Sequence, residues 1–187
     1  MSSIIIAVIV IAIVVIVVIA FIVVYNQLVR RRNLVDNSWA QIEVQLKRRH
    51  DLVPNLVATV QGYATHERST LTAVTAARAA AVEAQGPAAR AQAENRLAAA
   101  VKQLLAVAES YPELKANQGF LQLQDQLADT ENRVAYARQA YNDADLAYNN
   151  AIGTIPTNIV AALTGFKPRQ PFHADDDTGP VTVSFPE

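Results

Sequence analysis

The chain has 187 residues, with 16 basic and 17 acidic side chains, a net charge of −1 and no cysteine. A sum near zero without a basic stripe argues against nucleic acid as a partner, because phosphate binding draws on concentrated positive charge. Missing thiols exclude cysteine nucleophiles and thiolate metal sites, and they agree with a reducing compartment.

Residues Ile4 through Val24 form an unbroken apolar run, almost all Ile and Val, and Arg30, Arg31 and Arg32 follow it closely. About 20 such residues, each rising 1.5 Å, cross a hydrocarbon core of about 30 Å. Residues 1–24 therefore read as a transmembrane anchor. A cleaved secretory leader calls for a basic start, a shorter apolar core and a small-x-small cleavage site, none of which is present. Met1-Ser2-Ser3 carries no basic side chain, so the arginines after the span are expected to stay in the cytoplasm with the domain behind them. Tyr25, Arg30, Arg31 and Arg32 suit the membrane interface, where an amphipathic ring and snorkelling cations are favoured.

Residues 25–166 read as one helical domain. Alanine is abundant from Ala73 to Ala108, and β-branched residues thin out after the anchor. Breakers at Pro54, Gly86-Pro87, Ser110-Tyr111-Pro112 with Gly119, and Gly153 with Pro156 leave room for four long helices. These are predicted at about 25–51, 54–84, 88–109 and 119–151. In the first, Val35, Trp39, Ile42 and Leu46 alternate at spacings of four and three. Pro54 can be read in two ways. The apolar register runs in phase across it through Val53, Leu56 and Val60, which suits one long kinked helix. Proline also removes a backbone donor and sits well in the first turn of a new helix, with Asp51 available as a cap. A break balances the helix lengths, and it is the reading adopted. The polar block His66-Glu67-Arg68 then falls within the second helix, as a solvated surface or an assembly contact.

In the third helix Leu97, Val101, Leu104 and Ala108 form a face that needs a partner. In the fourth, Phe120, Leu127, Val134, Tyr141 and Tyr148 recur every seven residues, with Leu123, Thr130, Ala137, Ala144 and Ala151 between them. Large residues in one row and mostly small ones in the other make a coiled-coil-like seam that a neighbouring helix can approach closely. The predicted fold is all-α: a single transmembrane helix followed by an antiparallel up-and-down four-helix bundle. The chain should return to the bilayer after Asn150. There Ile155, Ile159, Val160, Leu163 and Phe166 make an apolar surface that reads as capping the open end of the bundle rather than dipping into lipid. Residues 167–187 are acidic, with Asp175-Asp176-Asp177, and are expected to be a flexible tail.

Charge is divided along the chain. Residues 25–55 hold six basic groups against three acids, and residues 120–187 hold nine acids against four basic groups, so the two regions are complementary. Chemistry, by contrast, is hard to find. His50, His66 and His173 lack the four-residue spacing of a helical zinc pair, and His66-Glu67 is followed by Thr70 where a metalloprotease motif needs its second histidine. Glycine is never clustered, so no phosphate cradle is present, and G-x-S-x-G is absent. No catalytic role, cofactor or metal is expected.

Tyr25-Asn26-Gln27-Leu28-Val29, Arg32-Asn33-Leu34-Val35 and the run from Trp39 to Val57 closely resemble the signature of the LemA family, as does Gly62-Tyr63-Ala64-Thr65-His66-Glu67. Tyr148-Asn149-Asn150-Ala151-Ile152, Ile155 to Ala161 and Gly165-Phe166 resemble its closing motif. The likeness spans residues 25–172, and the tail after Phe172 departs from any fixed pattern. It implies a membrane-anchored helical domain in the bacterial inner membrane, and it carries over no catalytic residue. A LemA-like protein takes part in building magnetosome membranes, which implies scaffolding or remodelling. The expected function is thus a non-catalytic scaffold that self-assembles on the membrane. Its partners would be the lipid bilayer and further copies of itself, with Trp39, Ile42, Leu46, His66, Glu67, Phe120, Leu127, Val134, Tyr141 and Tyr148 as candidate packing or assembly residues. The alternative is an adaptor or regulator of a membrane-bound protease or sensor.

Overall fold

In the computed structural model, which describes residues 1–64 and 66–173, every regular element is a helix. The first, α1 (Ser2–Gln61), is 60 residues long and carries the apolar run directly into the domain with no linker. Ile and Val are indifferent helix formers in water. In hydrocarbon, however, every backbone group must be satisfied within the segment, and only the helix does that for a single span. Among the described residues α1 alone is long and apolar enough to cross a membrane, and its apolar window is unburied by protein all round.

The predicted break at Pro54 does not occur: the proline lies inside α1. The reason is in the hydrogen bonding. An ordinary residue at 54 would donate its N–H to the carbonyl of His50, and proline leaves that carbonyl bare. Arg78 supplies the missing donor, with its Nε 2.7 Å from the His50 oxygen. The proline itself is exposed, while Val53, Leu56 and Val60 on the same helix are buried. The in-phase register across residue 54 was the stronger signal.

The helix ends instead at Gly62, where the N–H groups of Tyr63 and Ala64 both turn back onto the Val60 carbonyl at 3.0 and 2.8 Å. The single helix predicted at 54–84 is therefore divided. Its second part, α2 (Arg68–Glu83), starts after His66 and Glu67, so that pair sits in the joint rather than on a helix face. α3 (Pro87–Ala108) begins with proline at its first position, behind Gly86. Gly86 has φ of 79°, a conformation that costs a residue with a Cβ. α4 (Pro112–Lys115) is a single turn. α5 (Gln118–Gly153) is started by Asn117, whose side-chain oxygen accepts the N–H of Phe120 at 3.1 Å. The same side chain donates from Nδ2 to the Tyr63 hydroxyl at 3.1 Å, tying the end of α1 to the start of α5. α6 (Thr157–Thr164) closes the series.

The chain forms two compact units, to both of which α1 and α5 contribute. One consists of Met1–Gln41 with Gln139–Arg169. The other consists of Ile42–Arg138 with the described residues from Gln170 onward. The core of the second draws Val53, Leu56 and Val60 from α1, Leu71, Val74 and Ala81 from α2, Leu97, Val101 and Leu104 from α3, Leu114 from α4, and Phe120 and Leu127 from α5. The first has a smaller core, in which Leu28 of α1 meets Val160 and Ala161 of α6. Val24, Ala151, Ile152 and Phe166 pack around them.

Candidate functional site

Two places concentrate polar chemistry. The first lies where α1 leaves the apolar run. Gly165 ends α6 in the left-handed region at φ 77°, which reverses the chain and brings Phe166 back against α1. The Phe166 ring meets Tyr25 edge-on with centroids 5.9 Å apart, lies 6.5 Å from Tyr148, and carries the Arg32 guanidinium 5.3 Å above its face. Such a cation over an aromatic ring is worth about 0.5–1 kcal/mol when partly exposed. Arg31 donates to the carbonyl of Ala147 on α5 at 3.1 Å. It also lines a groove of about 320 Å³ with Gln27, Asn150, Thr154 and Thr157. A guanidinium beside amides and hydroxyls suits a phosphate oxygen.

The chain beyond Phe166 is docked onto α5. Tyr148 donates its hydroxyl to the Lys167 carbonyl at 3.0 Å, and the Asn149 side chain exchanges two hydrogen bonds with the backbone of Arg169, at 3.0 and 3.1 Å. Arg169 reaches Asp36 at 2.8 Å, a half-exposed pair worth little by itself. Of the expected tail, residues 167–173 are described and Phe172 is buried, whereas residues 174–187, with Asp175-Asp176-Asp177, lie outside the described residues.

The second place is a buried charge layer around Pro54 in the other unit. Glu94 of α3, 3% exposed, takes Arg49 Nη1 at 3.3 Å on one oxygen and has His50 Nε2 at 2.6 Å from the other. Arg49 also pairs with Glu131 of α5. Burial pushes the Arg49 guanidinium below its ordinary value, and the adjacent Glu94 carboxylate opposes that shift. With Arg78 on the His50 carbonyl, three helices, α2, α3 and α5, converge on one turn of α1. Arg49 and Glu94 are both too deeply covered for a substrate to reach. The layer holds helices together. Arg48 with Asp129 at 3.6 Å adds a second pair of the complementary charge regions.

The predicted site residues divide accordingly. Tyr25 and Arg32 come together on Phe166, Arg31 binds α5, and Arg30 is exposed. Ile42, Leu46, Phe120, Leu127, Val134, Tyr141 and Tyr148 are all buried in this chain's own packing. Trp39 stacks at a tilt on Tyr141, with centroids 5.3 Å apart. His66 is exposed and Glu67 half-buried, and the structure gives the pair no common role. Sequence reasoning missed Glu94 and Arg78. The available signal was a lone carboxylate, Glu94, three residues before Leu97 on the apolar face of α3. Among the described residues no group of three or more metal-ligating side chains is assembled.

Burial pushes the Tyr141 hydroxyl up from 10.0 to about 12, and the negative charge of Asp145 adds to the shift. Tyr148 is raised for the same first reason. The folded state therefore holds the Tyr141 proton more tightly than the unfolded chain does. Its stabilisation should be complete below pH 10 and fade as pH rises toward 12. Ultraviolet difference titration of Tyr141→Phe against the natural chain should remove the latest-titrating phenol; loss of an ordinary step near pH 10 would contradict the buried setting.

These features define a class: a protein helical throughout its described regular elements, with one membrane-length apolar helix and a buried charge cluster that joins helices. The chain belongs to the LemA family, whose model matches residues 38–185. The match starts later than the likeness read from Tyr25 and runs past Phe172 into the tail. The chain is 27% identical over 189 residues to the magnetosome protein MamQ of Magnetospirillum gryphiswaldense, covering 87% of this chain and 69% of that protein. It is 26% identical to the magnetosome protein MamQ 2 of Paramagnetospirillum magneticum with the same coverage. Against protein LemA of Metamycoplasma hominis it is 26% identical over 140 residues, 73% of this chain and 63% of the relative.

Proposed function

We propose that the protein is a non-catalytic scaffold that is anchored in the bacterial inner membrane, self-associates there and organises or remodels the bilayer. The N-terminus lies outside and the helical domain in the cytoplasm, as an up-and-down arrangement of α1, α2, α3 and α5. The observation that carries this reading is the uninterrupted α1: anchor and domain share one helix, so a load on the domain is passed to the span without a linker. Two further features support it. The richest cluster of charged groups is spent on joining helices, and the similar MamQ proteins are magnetosome proteins. Copies tethered in two dimensions have a high effective concentration, so weak lateral contacts add up. The span offers little for them, since Ala7, Ala12 and Ala20 lack small-xxx-small spacing. Exposed apolar side chains of the domain, among them Leu34, Val44, Tyr136 and Leu146, offer contact points.

Full-length protein reconstituted into phospholipid vesicles and imaged by electron cryomicroscopy should appear as clusters or arrays on deformed membrane. Solitary particles on unchanged vesicles at every protein density would refute the proposal. Clusters that form only after addition of a membrane extract would favour the adaptor reading.

A further inference from the structure

α6 has two apolar faces, and the fold uses one. Val160 and Ala161 are buried against Leu28 and Val24 of α1. On the other side Ile159 and Leu163, one turn apart on α6, are 57 and 73% exposed, and Ile155, in the turn that leads into the helix, is 82% exposed. An aliphatic surface of this kind next to water loses the stabilisation that its burial would bring.

We infer that this outer face of α6 is a second membrane contact, a short helix lying in the lipid headgroup layer beside the span. What covers the face follows from its height on α1. Val24 is the last residue of the apolar run, and Leu28 lies four residues beyond it, about 6 Å along the axis. The interfacial layer on each side of a bilayer core is about 5–8 Å deep, by difference between its full and hydrocarbon thickness. A helix packed on Val24 and Leu28 therefore sits within that layer, and its exposed aliphatic row continues the lipid-facing surface of the span. Aromatic and cationic groups border it as they border interfacial helices generally: Tyr25 on Phe166, with Arg32 above the ring. The predicted cap on the end of the bundle is thus the inner face alone. One-sided insertion beside each anchor adds area to a single leaflet, which gives the scaffold reading a means of bending the membrane and rests on that reading only for this consequence.

Because the natural chain has no cysteine, single labels are straightforward. Ile159→Cys and Leu163→Cys, each carrying an environment-sensitive fluorophore, are placed in lipid nanodiscs with one full-length chain per disc. Ala40→Cys, exposed on α1 sixteen residues or about 24 Å past Val24, serves as reference. The first two should show blue-shifted emission and several-fold stronger quenching by lipids spin-labelled near the headgroup than the reference does. Equal quenching at all three positions overturns the inference, as does a blue shift without lipid quenching, which would mean that protein covers the face. Single chains report here, so failure of self-assembly leaves this result intact, and unquenched labels on protein that still forms arrays would remove α6 insertion alone.

Discussion

Glu94→Ala is expected to destabilise the helical domain by about 3–5 kcal/mol, the usual cost of removing one partner from a buried ion pair. The carboxylate is 3% exposed and accepts from Arg49 while lying against His50, so its loss leaves a guanidinium that is 4% exposed with only the half-exposed Glu131 as counter-charge. At about 2–4 °C per kcal/mol for a domain of this size, the helical melt should fall by about 6–20 °C. Circular dichroism of full-length protein in nanodiscs measures it. Ordinary loss of packing is separated by a triple variant, Arg49→Met, His50→Leu and Glu94→Leu, which removes the three polar side chains that meet at the buried carboxylate. That variant should recover most of the loss, because an apolar replacement of a buried charge cluster is close to neutral. A melt for Glu94→Ala within about 2 °C of the natural chain would show that the layer is not a coupled network.

The second large effect centres on Pro54. Pro54→Ala should stabilise by about 1–3 kcal/mol, since an interior proline costs up to about 3 kcal/mol and residue 54 is exposed, so no packing is lost. Arg78→Leu in the natural chain strands the His50 carbonyl and should cost about 1–3 kcal/mol. With alanine at 54 the backbone supplies its own donor, and Arg78→Leu should then cost much less. The double-mutant cycle reads this coupling directly. Additive effects of the two substitutions would mean that Arg78 does not replace the bond that proline removes. The same cycle explains why a strong helix breaker leaves α1 unbroken.

Much of this protein was legible in its residues because the information is local or periodic. The run from Ile4 to Val24 announces an apolar helix of membrane-crossing length by composition alone, and Gly86-Pro87 marks a joint because the glycine backbone tolerates its φ and proline suits a helix start. The seven-residue row on α5 needs no partner to be recognised, and Phe120, Leu127, Val134, Tyr141 and Tyr148 are its buried face. The absence of a thiol or a histidine pair at ligand spacing is equally plain.

What the residues alone left open depends on groups brought together from distant parts of the chain. Whether Pro54 breaks a helix is decided 24 residues away, by an arginine that reaches the stranded carbonyl. His66 and Glu67 look helical until the end of α1 at Gly62 is secured by a hydrogen bond between Tyr63 and Asn117. Glu94 becomes a junction only when α3 sets it against Arg49 and His50. The two sides of α6 separate in meaning only once Val24 and Leu28 cover one of them. Composition and period determine which segments are helices and which stripe each must bury. Which polar group answers which is a matter of three-dimensional approach, because a hydrogen bond or ion pair acts over about 3 Å and ignores separation along the chain.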